Sequence, residues 1–428
     1  KEKAQEYLSQ AAAMGNESAF QLLNRMDHES EEEKDIDPFA RQAYLEAQQA
    51  LADKETEKYI NLLSQSANLG YVQALNDLGD LYFNGELAPK HMGKAYEYFL
   101  KASQNGSGYG SYSCGFILMK GSSDIPRDIE KGLSMFRLAV EQNYKAATRD
   151  LARYYYSLET EEDNRKALDY YLQYIEYNPK DTDTLLHIGL IYESGLGVPL
   201  NIDLARRYYE RAAEQDETGM AYNFLGGTYM NDEETESNER KAVHYFQKAI
   251  ELGNTNAMFR ISYYLHNGKG GLQVDIPREI ELLTEASKRG NHQATYRLGL
   301  LFEDNESGMA QNLELSVKYF QLAADNGILA AINKMGELYL FGEVIPANLT
   351  KAISCFTAAS EQGYGKASYW LGRLHTDGIG QLEKDTQKAM NYYRKAIEQG
   401  YEETREWMEQ LQKNLVDETI TDIEIPQD

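Results

Sequence analysis

Residues 185–213 read LLHIGLIYESGLGVPLNIDLARRYYERAA, and the arrangement of this segment returns along the chain. The small residue that corresponds to Gly189 recurs every 36 or 37 residues, at Gly79, Gly115, Ala152, Gly189, Gly226, Ser262, Gly299, Gly336 and Gly372. A second series closes the units, at Gly70, Gly106, Asn143, Asp216, Gly253, Gly290, Gly327, Gly363 and Gly400. Two independent series with one period indicate a tandem repeat.

Each unit has the pattern of two helices. In one unit, Ala74, Leu78 and Leu81 recur at steps of three and four residues, which predicts one apolar helical stripe. A loop separates this stripe from a second one around Phe99, and Gly106 follows as the expected left-handed C-terminal cap. Because one helix pair cannot bury its apolar face alone, the pairs are expected to stack on their neighbours in an all-α solenoid.

The motifs of the units resemble the Sel-one-like repeat (SLR) family of tetratricopeptide-like proteins. The pair Leu371–Gly372 has the Leu-Gly pattern, residues 195–198 read GLGV as in the family turn, and Tyr208–Tyr209 and Tyr392–Tyr393 match its Tyr-Tyr pair. The resemblance covers roughly residues 59–413. It implies an all-α fold, an α/α right-handed superhelical solenoid of helix-turn-helix repeats.

The repeat phase also predicts the domain boundaries. We expect a partial N-terminal repeat at 1–26, an acidic insertion at 27–38, an irregular helical pair at 39–70, nine repeats at 71–400, a capping helix at 401–415 and an acidic tail at 416–428. The chain starts within the second helix of a unit, so the natural protein is expected to extend upstream. The third, fifth and sixth units depart from the pattern: the third and fifth have acidic loops at 159–163 and 231–239, and the sixth has Ser262 in the Leu-Gly pair and Glu279 where Ala is usual.

Composition excludes several classes of function. The formal net charge of -25 disfavours nucleic-acid binding and docking on anionic lipid. No apolar run reaches the length of a membrane span, and two cysteines cannot fill a structural zinc site. The low cysteine content slightly favours the cytoplasm. Catalytic signatures such as His-Glu-x-x-His or a Walker loop are absent from the sequence, so neither a catalytic residue, a metal nor a cofactor is predicted.

In this repeat class the first helices line the concave wall, so residues beside each Leu-Gly pair are expected to face a groove. The candidate binding residues are Tyr112, Arg149, Arg153, Asn223, Arg260, Tyr263, Tyr296, Arg297, Asn333, Lys334, Tyr369, Trp370 and Arg373. Arg260, Arg297, Lys334 and Arg373 form a possible basic ladder that would suit an acidic segment or a chain carboxylate. In the alternative interpretation, each of these cations pairs with Glu or Asp on a neighbouring helix.

The resemblance implies a non-catalytic scaffold or adaptor that binds protein partners in the groove. A second hypothesis is that the repeats are the interaction arm of a larger enzyme, or of a secretion or signalling protein, whose catalytic domain lies outside this chain. A third, a stand-alone hydrolase, is disfavoured because the sequence offers no nucleophile and base in a recognisable arrangement. The expected partner is a protein or peptide, with an acidic or C-terminal segment as the favoured chemistry.

Overall fold

A computed structural model describes residues 37–232, 235–304, 311–379 and 382–421, with side chains described up to residue 413. Every regular element in these ranges is a helix, which confirms the all-α prediction. The predicted partial repeat at 1–26, nearly all of the acidic insertion at 27–38 and the end of the acidic tail lie outside the described residues. The last helix continues past the predicted boundary at Leu415, because nothing in the sequence before Pro426 interrupts a helix.

The helices alternate between the first and second member of each pair, which we call A and B helices. The A helices are α1 (Pro38–Ala52), α3 (Val72–Asn84), α5 (Gly108–Lys120), α7 (Lys145–Tyr156), α9 (Thr182–Ser194), α11 (Met220–Met230), α13 (Thr255–Asn267), α15 (His292–Glu303), α17 (Leu329–Phe341) and α19 (Gly365–Asp377). The B helices are α2 (Thr56–Asn68), α4 (Met92–Gln104), α6 (Ile129–Glu141), α8 (Glu161–Tyr177), α10 (Ile202–Ala213), α12 (Glu236–Glu251), α14 (Ile276–Lys288), α16 (Leu313–Asp325), α18 (Leu349–Glu361) and α20 (Thr386–Glu398). A short 3-10 turn, Glu402–Thr404, leads into α21 (Arg405–Thr421).

The chain forms two compact units, and the boundary between Thr228 and Tyr229 falls within α11. In the first unit each helix from α1 to α10 packs against the next one in the chain. In the second unit the same holds from α12 to α21. Packing between sequence neighbours is the arrangement that defines a helical repeat array, so the stacking expected from the repeat is confirmed within each unit.

The small residue of the Leu-Gly pair allows an aromatic ring of the B helix to lie on the backbone of the A helix. A Cβ atom added at Gly79 would lie 2.5 Å from Cδ1 of Phe99, which is almost fully buried. The same approach recurs between Gly115 and Phe136, Gly189 and Tyr209, Gly299 and Phe320, Gly336 and Phe356, and Gly372 and Tyr393. In these six units the glycine is therefore what lets the ring lie against the A helix.

The residues that close the units mostly adopt the expected left-handed backbone. Gly106 has a φ of 90° and Asn143 a φ of 61°. Asp216 is an exception: its Oδ1 accepts hydrogen bonds from the backbone N–H of Thr218 and Gly219 in the turn before α11, and its Oδ2 accepts one from the N–H of Ala221 in the first turn of α11, at 2.8 Å. An Asp carboxylate can satisfy unpaired N–H groups at a helix start. The repeat therefore continues in register although the closing residue is not glycine.

A buried polar bridge joins three successive helices at two places. The hydroxyls of Ser360 and Ser368 are 2.7 Å apart, Ser368 donates to Gln399 Oε1 at 2.6 Å, and Gln399 Nε2 donates to the Ser360 carbonyl at 2.8 Å. The first unit repeats the bridge with Ser103, Ser111 and Gln142. The bridge fixes the A helix between its two B-helix neighbours with satisfied polar groups.

Candidate partner-binding surface

Hydrogen bonds between neighbouring A helices show which side chains share one face of the first unit. The Tyr44 hydroxyl of α1 donates to Asp77 of α3 at 3.0 Å. The Tyr109 hydroxyl of α5 donates to Asp80 of α3 at 2.6 Å. The sequence placed Asp77 and Asp80 beside a Leu-Gly pair, and the structure brings both carboxylates onto this face.

The same kind of contact continues from α5 to α9. The Tyr112 hydroxyl donates to Asp150 of α7 at 2.6 Å, and Arg153 of α7 donates to Asp183 of α9 at 2.7 Å. Arg149 differs from these side chains because it is buried, with its guanidinium over the ring of Tyr174 at 5.5 Å. Tyr112 and Arg153 are therefore accessible on this face of the first unit, whereas the side chain of Arg149 is buried beneath it.

In the second unit, four polar side chains converge on Glu337 of α17. Asn333 Nδ2 and Trp370 Nε1 each donate to Glu337 Oε1 at 2.9 Å, and Lys366 Nζ lies 2.8 Å from the same oxygen. Lys334 Nζ lies 3.9 Å from Glu337 Oε2 and 2.8 Å from Glu303. Glu337 thus orients three predicted site residues, Asn333, Lys334 and Trp370, across α17 and α19.

Aromatic side chains surround this cluster. The ring of Phe341 lies edge-on to Trp370 at 5.6 Å, and the Tyr369 ring contacts Trp370 at 5.5 Å and Trp407 of α21 at 6.2 Å. The guanidinium of Arg373 lies 4.1 Å from the centre of the Trp407 ring. Phe341 is 55% exposed and Trp407 is 40% exposed, so the cluster presents apolar area to solvent. We call Lys334, Phe341, Tyr369, Trp370, Arg373 and Trp407 the α17–α21 surface.

Three of the four cations of the predicted ladder have carboxylate partners that the structure shows: Arg297, Lys334 and Arg373. Arg297 Nε donates to Glu279 Oε1 at 3.1 Å, Lys334 pairs with Glu303, and Arg373 Nη2 lies 3.3 Å from Asp377 Oδ2. Arg297 and Lys334 therefore pair with carboxylates on neighbouring helices, as in the alternative interpretation, whereas Arg373 pairs with a carboxylate of its own helix. At these three positions each cation therefore stands beside a carboxylate.

Glu279 is the carboxylate that departs from the repeat pattern. It is fully buried in α14, where equivalent positions hold small residues, and its two oxygens are held by Arg297 and by His266 Nδ1 at 2.9 Å. A buried carboxylate costs several kcal/mol unless it is paired and hydrogen-bonded, and these two side chains supply the pairing. Arg297, from the next unit, therefore pairs with a buried carboxylate of the sixth unit and joins the two units.

The other predicted residues are spread along the A helices. Tyr263 is exposed on α13 and accepts a hydrogen bond from Lys269 Nζ at 3.0 Å, while Arg260 of the same helix is half-buried. Asn223 of α11 is buried. Burial raises the pKa of Tyr296 to about 12, and its ring lies 5.6 Å from the ring of Phe320.

Three residues were not predicted from the sequence: Phe341 and Trp407 of the α17–α21 surface, and Lys366, which lies beside it at Glu337. Phe341 ends its helix, Lys366 begins the next A helix, and Trp407 was assigned to a capping helix. A partial signal existed for Trp407, since an apolar residue on a charged terminal helix needs a neighbour to pack on. Phe341 had a weaker signal, because an aromatic residue beside a Gly turn can face either the core or solvent.

The described residues offer no arrangement suited to a metal: they contain no cluster of three or more His, Cys, Asp and Glu side chains able to hold an ion. Burial raises the pKa of the Cys114 thiol to about 12, which removes the thiolate needed for nucleophilic chemistry. None of the helices searched within the described ranges is long and apolar enough to cross a membrane.

Comparison with known proteins places these observations in context. The family model of the Sel1 repeat matches residues 1–16, 72–107, 109–144, 145–173, 184–217, 219–254, 255–291, 292–328, 329–364 and 365–401. The Sel1-repeat-containing protein YjcO of Escherichia coli K12 is 31% identical over 78 residues, which are 18% of this chain and 34% of YjcO. The chain therefore spans about a third of that relative's length.

Two solved structures are similar over most of the chain. One is c5321, a protective antigen present in uropathogenic Escherichia coli strains that displays an SLR fold, with 19% identity, a TM-score of 0.42, and coverage of 99% of this chain and 98% of that one. The other is a Sel1 repeat protein from Oxalobacter formigenes, with 22% identity, a TM-score of 0.38, and coverage of 95% and 89%.

Proposed function

The chain belongs to the Sel1 repeat family, whose helical solenoids are generally non-catalytic protein-interaction scaffolds, and from that premise we propose that it binds a segment of a partner protein along the A helices. The α17–α21 surface is the centre of the proposed site. Among the remaining predicted residues, Arg260, Tyr263, Tyr296 and Arg297 belong to the second unit and would extend or support this surface. The others belong to the A helices of the first unit: Tyr112, Arg149, Arg153 and Asn223.

The observation that carries the proposal is the exposed aromatic and cationic cluster at α17–α21. Binding energy in protein interfaces concentrates in Trp, Tyr and Arg side chains that are held in place by their neighbours. Trp370 is fixed by its hydrogen bond to Glu337, and Arg373 by its contact with Trp407. Preorganised side chains lose little entropy on binding, which makes this cluster the best-suited anchor site on the second unit.

We propose that the partner segment places an apolar or aromatic side chain on Phe341 and Trp370 and a carboxylate near Lys334 or Arg373. The ion pairs of these two cations are partly exposed, so each is worth at most about 1 kcal/mol. A carboxylate of the partner can therefore replace Glu303 or Asp377 at small cost. The acidic or C-terminal character of the segment stays a prediction.

The test is affinity capture on the full chain followed by quantitative mass spectrometry. Lys334→Gln combined with Phe341→Ala should reduce recovery of the partner about tenfold or more, which corresponds to the loss of one strong contact. The matched control is Lys318→Gln, which removes the same charge from a B helix where Lys318 also pairs with a carboxylate, Glu314 at 2.8 Å.

Circular dichroism of all variants establishes that they remain folded. If the double variant and the Lys318 control recover the same proteins in equal amounts, the α17–α21 surface is not the binding site. Charge reversal at Arg297 is unsuitable for this test, because it would place a second carboxylate against the buried Glu279.

A further inference from the structure

An apolar cleft opens in the second unit between α16, α17 and the start of α18. Its volume is about 630 Å³, which is within the range of small-molecule sites. The lining residues of α16 run from Val317 to Asp325, over which a helix rises about 12 Å, so the cleft can take a linear chain of that length. The apolar part of the lining consists of Val317, Leu322, Met335, Tyr339, Ile345 and Pro346.

Tyr339 departs from a contact that the neighbouring units share. In the unit before it, Phe302 stacks on Tyr319 with ring centres 5.6 Å apart, and in the unit after it His375 stacks on Tyr392 at 5.7 Å. The repeat phase places Cys355 where these units hold a tyrosine of the B helix. No ring in the described part of the chain stacks on Tyr339, and its side chain lines the cleft instead.

The polar lining includes donors for an anion at the start of α18. Asn348 is the N-cap of this helix, and its Oδ1 accepts a hydrogen bond from the backbone N–H of Lys351 at 3.0 Å. The ammonium of Lys351 lies 5.1 Å from the centre of the Tyr339 ring and pairs with no carboxylate of the described residues. Lys318, the other lysine of the lining, pairs with Glu314 at 2.8 Å. The positive end of the helix dipole adds to the charge of Lys351.

We propose that this cleft binds a small amphipathic carboxylate, an alkyl chain that ends in a carboxylate group, as in a medium-chain fatty acid. The alkyl chain lies along α16 against Leu322, which is 47% exposed, and against the ring of Tyr339. The carboxylate accepts a charge-assisted hydrogen bond from Lys351. Removal of the alkyl chain and of Leu322 from water drives binding, and Lys351 selects the head group.

Charge complementarity favours this occupant over a neutral or cationic amphiphile. Lys351 is the lysine of the lining whose charge no described carboxylate neutralises, and the carboxylate of Asp325 already accepts a hydrogen bond from Gln321 at 2.7 Å. The net charge of -25 repels an anion only weakly beyond about 8 Å in physiological salt, so the nearby cation decides the preference. The cleft shares no residue with the α17–α21 surface, and its ligand is a small molecule, so this inference goes beyond the proposed partner binding.

Titration of the full chain with octanoate, followed by nuclear magnetic resonance of carbon-13-labelled methionine methyl groups, tests the inference. Met335 lines the cleft, and its signal is identified by its loss in Met335→Leu. Octanoate should shift this signal to saturation. The neutral 1-octanol should bind about fivefold more weakly, and acetate, which lacks the alkyl chain, should leave the signal in place.

Two variants locate the ligand. Lys351→Gln should weaken octanoate about fivefold and remove its preference over 1-octanol, whereas Leu322→Ala should weaken both ligands about three- to fivefold. The matched control is Lys388→Gln: Lys388 is the third residue of α20, as Lys351 is of α18, but it pairs with Asp385 at 3.1 Å. This control should leave the affinity for octanoate unchanged.

The inference is overturned if 1-octanol binds as tightly as octanoate, or if Lys351→Gln and Lys388→Gln weaken octanoate equally. It is also overturned if the peptide Ser-Leu-Leu with a free carboxyl terminus binds more tightly than octanoate, which would assign the cleft to the end of a protein chain. A Met335 signal that shifts with protein concentration alone would assign the cleft to a second copy of this chain. None of these outcomes changes the capture experiment at Lys334 and Phe341, so failure of this inference is distinguishable from failure of the proposed function.

Discussion

Adding one methyl group at Gly372 is the most informative perturbation of the fold. A Cβ atom at this position would lie 2.5 Å from Cδ1 of Tyr393, whereas carbon atoms pack best at about 3.5–4.0 Å. The Tyr393 ring is fully buried, and its hydroxyl lies 2.9 Å from the Thr376 hydroxyl, so the ring has little freedom to retreat. Overpacking costs about 1–3 kcal/mol, and a clash this deep belongs at the upper end.

Ala has a higher helix propensity than Gly, which offsets about 1 kcal/mol of this overpacking cost. Gly372→Ala should therefore lower the free energy of unfolding by about 2 kcal/mol. Urea unfolding followed by tryptophan fluorescence is a suitable assay, because both tryptophans, Trp370 and Trp407, lie in the second unit. In a Tyr393→Leu background the same change should cost at least about 1 kcal/mol less, since the smaller side chain leaves room for the methyl group.

The reference variant is Gly93→Ala, monitored by far-ultraviolet circular dichroism. Its added Cβ would meet the partly exposed His91 ring at 3.3 Å, and that ring can move. This variant should therefore be neutral or gain up to about 1 kcal/mol. If Gly372→Ala is as stable as the wild type, or if its effect is unchanged in the Tyr393→Leu background, the ring-on-glycine account of the repeat is wrong.

Three further predictions concern buried polar groups. Arg297→Met should lower the free energy of unfolding by about 3 kcal/mol in thermal denaturation, because it leaves Glu279 buried beside His266 alone, and adding Glu279→Ala should recover much of that loss. Gln399→Ala should cost about 1–3 kcal/mol in urea unfolding by leaving the Ser360–Ser368 bridge incomplete, while Gln387→Ala at the exposed start of α20, the helix that Gln399 follows, should not. Burial raises the pKa of Tyr296 from 10.0 to about 12, so only the unfolded chain ionises this tyrosine between those values, and its contribution to stability should fall as pH rises from about 10 to 12. In urea unfolding at several pH values, Tyr296→Phe should therefore lose less stability over this range than the wild type, and equal losses would contradict the prediction.

The fold could be predicted because its determinants lie at fixed separations in the sequence. Gly79 and Phe99 belong to one unit, and their counterparts recur in the following units. The sequence therefore showed both the repeat period and the packing contact that explains it. The pairing between charged side chains at the candidate site was harder to predict. Glu279 stood out as an unusual residue where Ala is expected, but its partner Arg297 belongs to the next unit, and the pairing requires the three-dimensional placement of both helices.

In the α17–α21 surface, too, the residues set by the repeat pattern could be predicted, whereas those contributed by other helices could not. Trp370 and Arg373 were predicted from their positions beside a Leu-Gly pair. Phe341 and Trp407 join them from the preceding A helix and from the final helix, so their contribution depends on packing between elements. The periodic pattern specifies which residues share a face, whereas it carries no information on which charges on that face neutralise each other.

Site-specific photo-cross-linking tests the central claim, partner binding on the A-helix face, most directly. A photoreactive phenylalanine analogue is introduced in place of Phe341 on α17 or, as the control, in place of Leu322, which is 47% exposed on the B helix α16. The account predicts that the captured partner cross-links to the chain altered at Phe341 and not to the one altered at Leu322. Cross-linking only through the Leu322 position, or equally through both, would contradict it.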